Sequence, residues 1–130
     1  MSSATRVCAS CGERKLLTSA FFYRNGVGRD GKDSLHTNCI RCELERGRWK
    51  GLYRLYGVTK DDYLALLEAQ EGVCKICASP PAEGKNLYVD HCHSTSRIRG
   101  LLCMSCNVIL GHAKDSVKLL TDAIAYLSTP

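Results

Sequence analysis

An acid and a histidine stand side by side in the string VDHCHSTSRIRG, which is rich in side chains that can do chemistry. The carboxylate of Asp90 can bind a hard divalent cation such as Mg²⁺, and the amide oxygen of Asn107 can add a second ligand. An imidazole titrates near neutral pH, so His91 can take a proton from an attacking water. The sequence therefore predicts a metal-dependent hydrolytic site at Asp90, His91 and Asn107.

Eight of the nine cysteines form four Cys-x-x-Cys pairs. The opening segment MSSATRVCASC has no apolar signal-like core, so we expect a reduced, cytoplasmic chain in which such pairs bind zinc. Spacings of 27 and 25 residues separate the two pairs in each half, and joining neighbouring pairs is simpler than interleaving them. This predicts two structural Zn²⁺ sites, at Cys8, Cys11, Cys39 and Cys42 and at Cys74, Cys77, Cys103 and Cys106.

The other histidines and the ninth cysteine receive smaller roles. His36 is an alternative zinc ligand, although four cysteines already complete a tetrahedral site. Cys92 is expected to be a free thiol, and His112 to have no chemical role. His93 is a secondary catalytic candidate, which either orients a phosphate or only supports the hairpin turn.

A β-hairpin followed by a helix must position these residues. The pattern predicts strands over 87–89 and 97–102 and a helix from Asn107 to about Gly111. Neighbouring residues of a strand point to opposite faces, so Asp90 and His91 need a local twist or bulge to serve one site.

Helices are predicted on both sides of the hairpin. Residues 39–56 form one helix or two abutting pieces, and a second helix is capped by Thr59 with Asp62 and ends near Gly72. A last helix covers 116–127. Its apolar positions pack within the chain or across a dimer interface, and they are Val117, Leu120, Ile124 and Leu127.

Positive charge is concentrated in the first half of the chain. Residues 1–60 carry 12 Lys and Arg against 5 Asp and Glu, whereas residues 61–130 carry 6 against 8. No apolar run approaches the roughly 18 residues of a membrane span, so no membrane partner is expected. Phosphate contact and an ordinary solvated face remain alternatives for the candidate DNA-binding residues, which are Arg41, Arg46, Arg48, Lys50, Arg54, Arg97 and Arg99.

Three stretches, YGVTKDDYLALLEAQEGVCKIC, VDHCHSTSRIRGLLCMSCN and the following LG, resemble the recombination endonuclease VII group of phage-type HNH, or His-Me finger, nucleases. The resemblance covers about residues 56–112 and continues more weakly through the last helix. It implies that the second cysteine set binds structural zinc, that Asp90 and Asn107 bind catalytic Mg²⁺, and that His91 is the general base. It also implies hydrolysis of DNA to 5′-phosphate and 3′-hydroxyl ends, by a protein of phage or bacterial host cytoplasm.

The expected fold is a small, zinc-stabilised α+β protein in three parts. Residues 1–45 form a basic zinc-ribbon-like module, residues 46–72 connecting helices, and residues 73–130 a ββα-metal finger with a closing helix. The leading functional hypothesis is an endonuclease that acts on duplex or branched DNA.

Several alternatives stay open. One is a DNA-binding adaptor whose finger is inactive, and a purely structural zinc protein ranks last because it leaves Asp90, His91 and Asn107 unexplained. A four-way-junction resolvase is a further alternative, although Cys92 and Leu110 stand where the best-known resolvase of the family carries acids. A homodimer is also an open alternative.

Overall fold

The computed structural model describes residues 3–130 and divides the chain into two compact units, Met1–Arg54 and Leu55–Pro130. The division into three parts at residues 45 and 72 stays a prediction. No helix in the described part of the chain combines the length and apolar character that crossing a membrane requires.

The first unit contains two short antiparallel hairpins. The first hairpin pairs β1 (Thr5–Val7) with β2 (Arg14–Leu16), and the second pairs β3 (Arg24–Val27) with β4 (Asp33–Leu35). Apolar material is scarce, and the core consists of the fully buried Phe22 against two cysteines, with a few partly buried neighbours. A core this small cannot stabilise a fold by apolar burial alone, which fits a unit closed by a metal. The zinc-ribbon-like assignment itself stays a prediction.

One uninterrupted helix, α1 (Ile40–Tyr56), fulfils the single-helix alternative. Gly47 and Gly51 lie inside it, and no atom from outside the local helix backbone lies within 4 Å of the point where a Cβ atom would stand on either residue. None of its residues is fully buried, and Leu44 and Leu55 are exposed. The apolar repeat therefore correctly indicated a helix, but it did not mark a buried face.

The helix α2 (Lys60–Ala69) begins at the predicted cap. Thr59 accepts a hydrogen bond from the backbone N–H of Asp62, and the Asp62 carboxylate accepts one from the backbone N–H of Thr59. The buried Tyr63 donates its hydroxyl to the carbonyl of Leu87 at 2.8 Å. Beyond the helix, the side-chain amide of Gln70 bonds both the N–H and the carbonyl of Leu101 at 2.9 Å. These bonds attach the helix to the second half of the unit.

The hairpin and helix around the candidate site have the predicted ββα order. β5 (Tyr88–His91) pairs antiparallel with β6 (Ile98–Leu102), and α3 (Met104–His112) packs on both strands. β5 is longer than predicted, so Asp90 and His91 lie within the strand. The fully buried Leu101 lies on the sheet face that forms the small core of this unit.

The closing helix α4 (Val117–Leu127) starts at Ser116, whose hydroxyl accepts from the backbone N–H of Leu119. None of its residues is fully buried. Val117, Ile124 and Leu127 are 76%, 65% and 80% exposed, so these three of the four predicted positions do not pack within the chain, whereas Leu120 is partly buried. Packing across a dimer interface stays a prediction.

The Tyr63 hydroxyl gives a test of the attachment of α2. We expect Tyr63→Phe to lower the free energy of unfolding by about 1–2 kcal/mol, because the buried carbonyl of Leu87 loses its donor. Urea unfolding of the zinc-loaded protein, followed by circular dichroism, measures the change. Tyr53→Phe is the matched control, since Tyr53 is exposed. Equal stability of the two variants would contradict the assignment.

Candidate active site and metal centres

Four cysteines of the second unit bring their sulfur atoms together. The Sγ atoms of Cys74, Cys77, Cys103 and Cys106 lie within 4.8 Å of one another, and those of Cys77 and Cys103 are 3.7 Å apart. A tetrahedral zinc with bonds of about 2.3 Å requires sulfur atoms about 3.8 Å apart, whereas a disulfide requires about 2.0 Å. The donor set therefore fits a structural zinc ion.

The first unit repeats this arrangement with Cys8, Cys11, Cys39 and Cys42, whose Sγ atoms also lie within 4.8 Å of one another. The sulfur atoms of Cys8 and Cys42 are 3.9 Å apart. The predicted grouping of eight cysteines into two neighbouring sets is confirmed. His36 and Cys92 belong to neither set among the described residues.

Each cluster contains at least one thiol whose pKa is lowered with the help of backbone hydrogen bonds. Backbone N–H groups of Cys11 and Cys39 lower the pKa of Cys8 to about 6. Burial disfavours the thiolate of Cys74, but backbone N–H groups of Cys103 and Cys77 lower its pKa to about 6. The opposite holds for Cys42, where hydrogen bonding with Cys39 and burial raise the pKa to about 12. A cation is thus needed to deprotonate the complete set, as zinc does.

Asp90 is 7% exposed and is the one charged side chain that is buried in the part of the chain the structure describes. Arg99 binds both of its carboxylate oxygens, with Nε donating to Oδ2 at 2.6 Å and Nη2 to Oδ1 at 2.9 Å. A buried carboxylate requires such a partner, because the loss of hydration is costly. The guanidinium occupies the position beside the Asp90 carboxylate that a metal cation would take. Carboxylate oxygens are donors that suit a hard divalent ion.

A strand irregularity lies at the predicted place. Asp90 pairs with Gly100, but His91 pairs with Ile98, so Arg99 is an extra residue in β6. Such a bulge twists the hairpin locally and re-aims the side chains beside it. The bulge expected at Asp90 and His91 is present, and the service of both residues in one site stays a prediction.

His91 lies between two other rings. The Tyr56 ring centroid is 5.0 Å from that of His91, and the His93 ring is 4.8 Å away on the hairpin. His93 in turn binds Asp115 through Nδ1 at 2.7 Å. The structure therefore brings His91 and His93 together, and it adds Tyr56 and Asp115.

Asn107 lies on α3, which starts at the second cysteine cluster. The thiol of Cys103 caps the helix by accepting from the backbone N–H of Cys106, and the N–H of Asn107 donates to the carbonyl of Cys103 at 3.0 Å. Asn107 is half-buried. α3 begins at the cysteine cluster and contacts β5 and β6, so the cluster and these contacts together place the helix that carries Asn107.

The candidate DNA-binding residues divide into engaged and exposed ones. On α1, Arg41 pairs with Glu13 and Arg46 with Glu43, while Arg48 lies over the ring of Trp49. Lys50, Arg54 and Arg97 are exposed. Arg99, a candidate for phosphate contact, holds two carboxylates, and its role in DNA contact stays a prediction.

Tyr56 and Asp115 were missed by the sequence analysis. Asp115 follows α3 in a turn where Lys114 and Asp115 both have positive φ, 51° and 55°. The string AKDSV contains no glycine, so the sequence does not indicate this left-handed conformation. Tyr56 directly precedes Gly57, where α1 ends, and only that break signals that its ring can turn towards the hairpin.

Metal analysis tests the two clusters. We expect two zinc equivalents in the purified protein and one in either Cys11→Ser or Cys77→Ser, because each cluster loses one of its four ligands. Mass spectrometry of the metal content measures this. Cys92→Ser is the control and keeps two equivalents. A loss of zinc from Cys92→Ser, or none from the other two variants, would contradict the assignment.

Comparison with known proteins identifies relatives of part of the chain. Over 76 residues the chain is 47% identical to the Gene 59 protein of Mycobacterium phage D29 and 45% identical to the Gene 59 protein of Mycobacterium phage L5. Each alignment covers 58% of this chain and 46% of the relative, so the chain spans about half the length of these curated relatives.

A similar solved structure is the crystal structure of the β-β-α-Me type II restriction endonuclease Hpy99I, with a TM-score of 0.38 and 26% identity, covering 95% of this chain and 64% of the other. The family model described as recombination endonuclease VII matches residues 47–129. This match includes all of β5, β6, α3 and α4, and with them Asp90, His91 and Asn107. The chain belongs to the recombination endonuclease VII family.

Proposed function

We propose that this chain is a metal-dependent endonuclease that hydrolyses phosphodiester bonds in DNA. The observation that carries the proposal is that the buried Asp90 is followed directly by His91 at a hairpin bulge, in a unit that also contains a four-cysteine cluster. Family membership supports a nuclease. The bulge supplies a reason for two successive strand residues to serve one reaction.

In this proposal Asp90 and Asn107 hold the catalytic divalent cation, for which Mg²⁺ is the expected ion. The cation, when bound, stabilises charge on the phosphate and the departing 3′-oxygen. Asp90 supplies a full negative charge, and Asn107 supplies a neutral oxygen from α3. Because α3 starts at Cys103 in the zinc cluster, the structural metal maintains the placement of the second oxygen donor.

His91 is the proposed general base. The rings of Tyr56 and His93 both contact its imidazole, and such packing favours a defined position of the side chain. A base must lie within hydrogen-bond reach of the water whose proton it removes, so a defined position favours the reaction. Water attacks the phosphorus as His91 takes its proton, and the products are a 5′-phosphate and a 3′-hydroxyl.

The second candidate function is a DNA-binding adaptor with an inactive finger. One observation favours it: both oxygens of Asp90 already bind Arg99, as in a purely structural ion pair. This candidate predicts salt-sensitive DNA binding without cleavage. The two functions therefore differ in what His91 does, and not in whether the protein binds DNA.

Replacement of His91 tests the catalytic proposal. We expect His91→Ala to slow Mg²⁺-dependent nicking of supercoiled DNA by about 10²- to 10⁴-fold, the usual contribution of a general base, while zinc content and DNA affinity stay unchanged. His112→Ala is the matched control, since His112 is an exposed residue in the last turn of α3.

The comparison includes linear, supercoiled and four-way DNA and several divalent metals. Preferred cutting of the four-way substrate would support a junction resolvase, and paired cuts on opposite strands would support a homodimer. If neither the unaltered protein nor His91→Ala cuts any of these forms, the enzymatic proposal is wrong and the adaptor stands.

A second test concerns the basic residues of α1. We expect simultaneous replacement of Arg46, Arg48 and Lys50 by Gln to weaken DNA binding and to reduce the slope of log K against log salt by about 2 to 3, since each phosphate contact contributes about 0.9. Fluorescence anisotropy at several salt concentrations measures both effects. An unchanged slope would remove these residues from the DNA-binding surface.

A further inference from the structure

Asp115 bridges Arg99 and His93, two residues of the candidate site that are not adjacent in sequence and are not paired across the hairpin. Its Oδ1 accepts from Arg99 Nη2 at 3.0 Å, and its Oδ2 bonds His93 Nδ1 at 2.7 Å. The Asp115 side chain is only 21% exposed. The same Arg99 nitrogen also donates to Asp90, so one carboxylate outside the hairpin is connected through Arg99 to the proposed metal ligand and directly to His93.

The end of α3 holds Asp115 in place. The N–H of Lys114 donates to the carbonyl of Gly111, and the N–H of Asp115 donates to the carbonyl of Leu110 at 3.1 Å, the pair of bonds that defines a Schellman motif. Such a motif normally has glycine in the left-handed position, but Lys114 occupies it here with φ 51°. A residue other than glycine adopts this left-handed backbone conformation at a cost in free energy, so contacts around the turn must stabilise it.

Asp115 also determines the hydrogen-bonding state of His93. Hydrogen bonds from His93 and Arg99 lower the pKa of Asp115, so its carboxylate is ionised at neutral pH and can only accept. The proton of the bond must therefore reside on His93 Nδ1. This leaves Nε2 as the ring nitrogen available to a ligand, on a side chain that is 67% exposed.

The charge of Asp115 matters for Arg99 as well. Asp90 and Arg99 together are neutral, so a divalent cation at Asp90 would be repelled by the guanidinium unless another acid compensates for it. Asp115 supplies that negative charge 3.0 Å from the same guanidinium nitrogen. Arg99 can thus keep a carboxylate partner when a cation binds Asp90.

We propose that Asp115 is a positioning residue of the active site, which fixes His93 with Nδ1 protonated and Nε2 facing the scissile phosphate and retains Arg99 beside Asp90. The inference rests on the proposed nuclease function. Asp115 itself touches neither metal nor DNA, and it acts through the two side chains that it holds.

The test compares Asp115→Ala, which removes both acceptors, with Asp115→Asn, which keeps the shape of the turn but offers one acceptor oxygen to two donors. Asp122→Ala is the control, since Asp122 is an exposed acid on α4 that pairs with Lys118. Nitrogen-15 NMR of the histidine rings in the zinc-loaded protein without DNA identifies the protonated ring nitrogen of His93. Zinc content and thermal unfolding establish that each variant is folded.

We expect the Nδ1–H form of His93 in the unaltered protein and in Asp122→Ala, its loss in Asp115→Ala, and an intermediate state in Asp115→Asn. The kcat for nicking falls by about ten- to hundredfold in Asp115→Ala, as when a supporting partner of a metal ligand is removed, with little change in DNA affinity. If Asp115→Ala does not fold, Asp115→Asn decides between the outcomes.

Two results would overturn the inference: an unchanged His93 tautomer in both Asp115 variants, or a changed tautomer with unchanged kcat. A different failure identifies the nuclease proposal as the error. If the unaltered protein cuts no DNA but the tautomer still changes in Asp115→Ala, the hydrogen bond is real and the proposed function, together with the catalytic purpose of Asp115, is wrong.

Discussion

The meeting of four cysteine sulfur atoms in the second unit is the constraint on which the rest of the site depends. Cys74 and Cys77 precede the hairpin, while Cys103 directly follows β6 and caps α3. A metal bound by this cluster would tie the segment before the hairpin to the end of β6 and to the first turn of α3. The buried apolar residues of β6, Leu101 and Leu102, are too few to stabilise this arrangement alone, because a unit of this size buries little apolar surface. The placement of α3, which carries Asn107, therefore depends on the cluster as well as on the contacts of the helix with β5 and β6.

A second constraint is the cost of burying the Asp90 carboxylate. Arg99, the extra residue of the bulge, satisfies both oxygens with its guanidinium, and a divalent cation must share or replace that partner. The pKa of Arg99 is raised by Asp90 and Asp115, so its charge is permanent under any ordinary condition. The site therefore has a resident positive charge that holds the acid in place before metal or DNA arrives. The same pair is what an inactive, purely structural finger would contain, so the catalytic and adaptor functions differ by whether a cation can join it.

Local signals were predictable from the sequence, whereas contacts that depend on backbone irregularities were not. The cysteine spacing predicted both clusters, and Thr59 with Asp62 predicted the start of α2. The bulge was predicted from the need to bring two successive strand residues, Asp90 and His91, to one site. The pairing of Arg99 with Asp90 was missed because regular alternation of β6 places Arg99 beside Arg97 on one face, and the extra residue changes that. Asp115 was missed because it lies 25 positions from Asp90 and reaches the site through a left-handed turn that contains no glycine.

The arginines of the chain differ in how easily they can leave their partners for a phosphate. Arg41 and Arg46 pair with Glu13 and Glu43 at the surface, where water screens such pairs and they contribute little, so exchange of the carboxylate for a phosphate costs little. Arg99 pairs with a buried acid, and removing one partner of a buried pair costs about 3–5 kcal/mol. Duplex contact through α1 is therefore compatible with its ion pairs. Release of Arg99 from Asp90 in exchange for a phosphate is therefore costly unless a cation takes over its role there, which ties such a release to the metal-bound state of the site.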